Sequence, residues 1–319
     1  MKDIPVLYAR GKSLAQAYEN ALIELYKNGG RMKTQYDKDG DPESIDATMN
    51  ITIDSPLEDP MIHKAFPGGI ADLREYVYEL EGLKDSWVKC SNNKNDTRWE
   101  YTYHGRLAHW GSHKIKKHMG IRGMISNYLG DDGFAVGDNV NQIKIVVDKL
   151  IKQPYTRQAQ MITWHPVLDN DCYDPACLQS LWFRITEESG KSPFDVKNIK
   201  YLNTNIRFRS NDAVGAYAMN SFGFTMFIKT NILDSIVGET GWNLKMGRIN
   251  WQADSWHIYG KDIKQVKERL FDRLETTKFE DRVYNFYDSD IQEMYHECEE
   301  SILKKIQDKT EEFKNTCDK

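Results

Sequence analysis

The 319-residue chain sets 43 Lys and Arg against 48 Asp and Glu, a net charge of −5 at neutral pH. With a pI near 6.0 it offers no global basic field for nucleic acid, and no apolar run reaches membrane-spanning length. Its five cysteines (Cys90, Cys172, Cys177, Cys298, Cys317) are irregularly spaced and lack a CxxC or Cys/His pattern, which argues against both zinc and a disulfide framework. The start, Met1-Lys2-Asp3-Ile4-Pro5, has no apolar h-region, so a reduced, soluble, cytoplasmic protein of one or two domains is expected.

In chain order, residues 13–28 place Leu14, Ala17, Ala21, Leu22, Leu25 and Tyr26 at helical spacing, with Ser13 as N-cap and Gly29-Gly30 as stop. Residues 31–46 are polar, carry Asp-Gly and Asp-Pro turn signals, and read as a loop. Met49 to Ile53 alternates as a strand, and Asp72 to Glu81 reads as a helix burying Leu73, Tyr76, Val77 and Leu80 before Gly82. Residues 84–135 hold aromatics and histidines with little periodicity, Trp99 to Tyr103 being one ordered segment. His104, His109, His113 and His118 with Lys114, Lys116 and Lys117 raise a metal or phosphate reading. No companion carboxylate pattern supports it, so the segment reads as a solvated loop.

Gln142 to Lys152 predicts a helix, and Gln160 to Trp164, Leu181 to Thr186, Leu202 to Ser210 and Ile249 to Tyr259 predict strands. In the third of these, Leu202, Thr204, Ile206 and Phe208 share one face, and Asn203, Asn205, Arg207 and Arg209 the other. Residues 213–236 suit a buried central helix, 262–275 an amphipathic surface helix, and the tail from about 289 a charged helix. Strands and helices interleave irregularly, which favours an α+β fold with a mixed sheet over a doubly wound one.

Chemistry gathers at four places: Cys177, Arg209 to Asp212, Asn220, and His257 to Tyr259. Cys177 stands where a loop enters a strand, and a thiol attacks as thiolate, which a nearby guanidinium favours. Arg209-Ser210 offers a fork and a hydroxyl for a phosphate. Asn220 has both a donor and an acceptor for the edge of a pyrimidine. Taken singly, Asn220 reads as an N-cap, His257 as a core histidine and Glu75 as a solvent-facing carboxylate.

Together, Asp174-Pro175-Ala176-Cys177, Arg209-Ser210-x-Asp212 with Asn220 eight residues further on, and Ser255-x-His257-Ile258-Tyr259 resemble the thymidylate synthase superfamily, which includes the pyrimidine nucleotide hydroxymethylases. The likeness spans roughly residues 13–275 and is nearer the archaeal and phage-type branch than the common bacterial enzyme. It implies a thymidylate synthase-like domain over 1–288, with a large mixed sheet and a buried central helix, and a charged helical extension over 289–319.

The resemblance further implies 5,10-methylenetetrahydrofolate as cosubstrate, a pyrimidine nucleoside monophosphate as substrate, a homodimer and no metal. Cys177 would add to the ring, Asn220 would stabilise the charge that develops there, and Glu75, seven residues before Gly82, would move protons. Tyr103 would lie near the thiol, Trp99 and Asp212 near folate. Arg209, Ser210, Gln179, His257 and Tyr259 would hold the nucleotide, and Arg157 would cross to the neighbouring subunit's phosphate. The second of the family's two crossing arginines is Gln158 here, and Leu178 follows the nucleophile where bacterial synthases often have His. Three activities fit: hydroxymethylase, synthase proper, or non-catalytic nucleotide binder. The charged tail suits water access and hence hydroxymethylation.

Overall fold

A computed structural model describes residues 3–89, 96–110, 139–166, 168–170, 172–188 and 199–317. His113, His118, their neighbouring lysines and Cys90 lie outside the described residues, as does the side chain of Cys317. The chain forms β1 (Val6–Gly11), α1 (Leu14–Asn28), β2 (Gly30–Met32), β3 (Ser44–Ile53), β4 (Ile62–His63), α2 (Ile70–Leu80), α3 (Tyr103–Ala108) and α4 (Gln142–Lys152). There follow β5 (Ala159–Ile162), β6 (Leu178–Glu188), β7 (Ile199–Phe208), β8 (Asn211–Asp212), α5 (Tyr217–Ile228), α6 (Asp234–Thr240) and β9 (Leu244–Ile258). The last elements are α7 (Ile263–Arg269), β10 (Val283–Tyr284), α8 (Ser289–Glu297) and α9 (Glu299–Cys317).

One eight-stranded sheet runs β1-β3-β9-β7-β6-β5, with β2 against β3 and β8 against β9. The β1–β3, β7–β9 and β8–β9 pairs are parallel, and β3–β9, β6–β7 and β5–β6 antiparallel, so the sheet is mixed as expected. The alternation of β7 decides its faces: Leu202, Thr204, Ile206 and Phe208 are buried, while Asn203 and Asn205 are half-buried and Arg207 exposed. Arg209 lies one residue past the strand's end.

On the buried face α1 and α5 cover the sheet. Phe208 stacks on Trp251 at 4.8 Å, and Phe224 of α5 stands edge-on to both. Apolar on nearly every side, α5 passes through a π turn (Lys229–Leu233) into α6, which Gly241 ends at φ 68°. Ser13 caps α1 through the Gln16 amide as predicted, and α4 has the expected bounds. The 31–46 loop turns out to hold β2 and the start of β3, and the edge strand β1, Val6-Leu7-Tyr8-Ala9-Arg10-Gly11, precedes the first element expected from the sequence. The predicted 262–275 helix is one short α segment and a 3₁₀ turn.

A buried ion cluster ties the late chain to the early one. Arg282 donates to both carboxylate oxygens of Glu19 at 2.8 Å, and His63 Nε2 lies 2.8 Å from the same group. Burial raises the Glu19 carboxyl, but Arg282 and His63 outweigh it and bring it from 4.5 to about 2. Removing one partner of such a pair strands a buried charge. Arg282→Met should therefore cost about 3–5 kcal/mol in urea denaturation at pH 7. A carboxyl whose folded pKa is depressed stabilises above its free value and loses that contribution as pH falls through its folded one. The gap between wild type and variant should thus close from pH 4.5 down toward 2.

Candidate active site

Sheet topology brings the site together. Cys177 immediately precedes β6, Arg209 follows β7, and His257 sits near the end of β9. Because β6 opposes β7, while β7 and β9 run parallel and adjacent, all three arrive at one edge of the sheet. Backbone bonds lock them there: Arg209 N–H donates to Cys177 O at 2.9 Å and Ser255 N–H to Arg209 O at 3.2 Å.

The Arg209 side chain clamps the loop that carries Cys177. Its Nε donates to Ala176 O at 3.1 Å and an Nη to Pro175 O at 2.6 Å. Burial pushes the half-buried Cys177 thiol above its usual 9.0, and although Arg209 pulls it down and Asp174 up, the net direction is upward. The guanidinium effect expected from sequence is present, but burial outweighs it. Gln179 folds back on the same loop, donating to Ala176 O at 2.9 Å. Ser210 continues from Arg209 at the strand's end, half-buried.

Two phenols face the loop. Tyr103 OH accepts the Leu178 N–H at 3.3 Å and Tyr101 OH the Cys177 N–H at 3.4 Å. Their hydroxyls also interact with each other, and burial raises the pKa of both, so each stays a neutral phenol. A third, Tyr76, donates to Asn220 Oδ1 at 2.6 Å and senses the charge of Cys177. Tyr76 reaches Asn220 because α2 and α5 approach closely at Gly223, where a Cβ would stand 2.5 Å from the Tyr76 ring. Asn220 is buried inside α5 rather than capping it, its N–H donating to Ala216 O at 2.8 Å. Asp212 instead holds the turn ahead of α5, its Oδ1 accepting from Val214 N–H at 2.9 Å and Gly215 N–H at 3.0 Å, while the N-cap residue Ala216 makes no side-chain cap bond. Sequence reasoning missed Tyr76 and Tyr101, since nothing local marks partners 144 and 76 residues away.

Glu75 is held differently from expectation. Lys84 lies 2.9 Å from one oxygen and Lys305, from the C-terminal helix α9, 2.8 Å from the other. Burial raises this carboxyl, but the two lysines prevail and hold it below the usual range. Glu79, one helical turn on and 3.3 Å from Lys84, is pushed upward chiefly by burial. Trp99 stacks obliquely on Trp87 at 5.3 Å beside Lys84. Trp87 is in turn covered by α9, with Thr310 accepting its indole N–H at 3.0 Å and Phe313 edge-on at 6.0 Å. The charged tail is therefore a packed helix, with Ile302 and Ile306 buried against Tyr78 and Trp87.

His257 and Tyr259 pack ring to ring at 4.6 Å, and Tyr259, raised by burial to about 12, senses both Asp212 and Cys177. Arg157 is not part of this cluster. It is exposed at the far end of β5, where its carbonyl accepts the Trp182 indole at 3.0 Å, about 20 Å of strand from Cys177. The carboxylate absent from the histidine pattern is supplied in space by Asp85: Asp85, His104 and His109 bring donor atoms within 4.8 Å of one another. Asp85 already accepts from His104 Nδ1 at 2.6 Å and from Thr102.

A half-buried thiol, an arginine that clamps its loop, a buried asparagine and a histidine–tyrosine pair are thus gathered around the ends of β6, β7 and β9. Residues 76–297 match the family model described as thymidylate synthase, and the chain belongs to that family. Among its archaeal relatives, a protein of Methanosarcina barkeri is 24% identical over 258 residues, covering 81% of this chain and 92% of the relative. One of Methanococcoides burtonii is 25% identical over 259 residues (81% and 92%), and one of Methanocaldococcus jannaschii 24% over 272 residues (82% and 96%). All three bear the description "Putative thymidylate synthase", in line with the archaeal resemblance of the sequence.

The thiol's direction of shift is open to test without substrate. Alkylation of Cys177 by iodoacetamide, followed by peptide mass, should rise with an inflection above pH 9, and Arg209→Met should move that inflection higher still. An inflection below 9 in the wild type would show that the guanidinium, not burial, governs the sulfur.

Proposed function

We propose that this protein transfers a one-carbon unit from 5,10-methylenetetrahydrofolate to C5 of a pyrimidine nucleoside monophosphate, dUMP or dCMP, leaving a hydroxymethyl group. The observation that carries the reading is the convergence of Cys177, Arg209 and His257 where β6, β7 and β9 meet, with Asn220 of α5 joined to the surroundings of the thiol through Tyr76. Cys177 Sγ adds to C6 of the ring, which makes C5 nucleophilic. After the carbon is transferred, the C5 proton is lost, tetrahydrofolate leaves, water adds to the carbon, and the thiolate departs from C6 to restore the ring. Asn220, oriented by Tyr76, directs its amide at the base and stabilises the charge that spreads toward the C4 substituent. An asparagine suits uracil, offering an acceptor to N3–H and a donor to O4.

Arg209 and Ser210 take the phosphate, with Arg157 of a second copy completing the pocket. His257 and Tyr259 take the sugar, and Gln179 and Tyr103 fix the loop beside the thiol. The folate cosubstrate supplies the carbon. The half-buried Trp99 face with Lys84 beside it is a fitting surface for a flat heterocycle, and Asp212, expected near folate, would meet it from beside His257 and Tyr259. Glu75 handles protons on C5, held ionised by Lys84 and Lys305.

Hydroxymethylation is favoured because the C-terminal helix brings a lysine, not an apolar seal, to Glu75. The description carried by the archaeal relatives favours a second reading, reduction of the same unit to methyl with folate as hydride donor. A homodimer is supported by the sheet's second face. Val6 and Tyr8 are exposed there, beside a concavity of about 960 Å³ lined by Tyr8, Thr52, Tyr201, Asn203 and Arg248.

Intact mass of the product from dUMP or dCMP with methylenetetrahydrofolate separates the readings: gain of CH2OH is expected, and gain of CH3 with dihydrofolate would establish the second. No product from either nucleotide would leave a binding protein. Cys177→Ser should abolish tritium release from C5, and Glu75→Gln should lower turnover by about a hundredfold. Glu79→Gln serves as the comparison: if it proves the more damaging, the proton carrier is Glu79. Arg157→Ala and Cys177→Ser, each inactive alone, should regain activity as mixed dimers; failure to complement would remove the crossing arginine.

A further inference from the structure

Ser255, His257 and Asp46 form a linked row at the edge of the sheet. Antiparallel register places Asp46 of β3 opposite His257 of β9. Ser255 Oγ lies 2.7 Å from Asp46 Oδ2 and 3.1 Å from His257 Nδ1. A hydroxyl has one proton and an ionised carboxylate only accepts, so the Ser255 proton goes to Asp46. The Ser255 oxygen then faces His257 Nδ1 with a lone pair, and Nδ1 must carry the hydrogen. In a neutral imidazole this leaves Nε2 bare, an acceptor.

That Nε2 has no hydrogen-bond partner among the described residues, in a side chain only 4% exposed. An unpaired buried acceptor costs about 1–3 kcal/mol, and such groups in folded proteins call for an explanation. The main chain of His257 is held on both sides: its carbonyl accepts the Ala213 N–H at 2.8 Å, Asp46 and Asp212 flank it in register, and Tyr259 packs on its ring.

We infer that Asp46, acting through Ser255, is a positioning residue that fixes His257 as the Nδ1–H tautomer and so makes its buried Nε2 an acceptor for a hydroxyl of the nucleotide sugar. The identity of that ligand rests on the proposed function; the tautomer does not. Burial raises the Asp46 carboxyl, and the Ser255 hydroxyl, His257 and the Ala47 N–H pull it back without reversing that direction, so the arrangement holds where pH keeps Asp46 ionised. The arrangement demands a hydroxyl donor on the sugar. A 2′,3′-dideoxynucleotide would leave both the lone pair and its burial uncompensated.

Long-range ¹⁵N–¹H correlation on ¹⁵N-histidine-labelled protein near pH 8 reads the tautomer directly, with His257 assigned from its loss in His257→Gln. The expected result is Nδ1–H in the wild type and loss of that preference in Asp46→Ala and in Ser255→Ala, the second variant standing in where the first fails to fold. An Nε2–H signal in the wild type, or an unchanged tautomer in the variants, overturns the role of Asp46. Calorimetry with dUMP and 2′,3′-dideoxyUMP is the ligand arm. The wild type should prefer the hydroxylated nucleotide by about tenfold, the worth of one good hydrogen bond. Asp46→Ala should lose that preference and raise KM more than it lowers kcat. The expected tautomers with equal binding of both nucleotides overturn the sugar contact while the positioning stands. The same tautomers with no nucleotide bound refute the proposed function instead.

Discussion

The site depends on the hydrogen-bond ladder that joins β6, β7 and β9 at one edge. Arg209 stands at its centre: its N–H and C=O join Cys177 to Ser255, and its side chain holds the Pro175 and Ala176 carbonyls. Cys177 and the end of the strand that carries His257 are thereby fixed by main chain rather than by side-chain rotamers. A site built on strands holds its geometry better than one built on loops. Bulges between Leu178 and Ser180 and between Ala47 and Met49 lie near the same edge, where an extra residue re-aims side chains.

Electrostatics around the sulfur follow from that burial. Three phenols, Tyr76, Tyr101 and Tyr103, enclose the thiol, and burial holds all three neutral. They supply hydrogen bonds without supplying charge. Arg209 is the cation that favours thiolate, and it acts against a larger desolvation. A neutral, polar wall of this kind stabilises charge spread over a ring without trapping charge on one atom, as a reaction through a transient anion requires.

Much of this was legible in the chain, for local reasons. The strand after Cys177, the alternation of β7 and the ends of α4 each follow from periodicity and terminal signals within a dozen residues. What escaped was held by distance. Asn220 reads as an N-cap because nothing nearby reveals that Asp212 satisfies the turn amides or that Tyr76, 144 residues earlier, holds its oxygen. Asp46 lies in what reads as a polar loop, and only the β3–β9 register makes it the partner of Ser255, 209 residues on.

The C-terminal helix shows how composition misleads when read without a partner surface. Its charged sequence argues for an exposed tail, yet Ile302, Ile306 and Phe313 recur on one side, and Tyr78 with Trp87 gives that side something to cover. Once docked, the helix carries Lys305 to Glu75, where the lysine completes a carboxylate site already half neutralised by Lys84. Burial favours protonation of Glu75, and the two lysines together outweigh it and keep the group ionised. The ionised state of Glu75 is therefore favoured jointly by Lys84, just after α2, and by Lys305 of the last helix described, so the packing of the tail bears on a carboxylate 230 residues earlier.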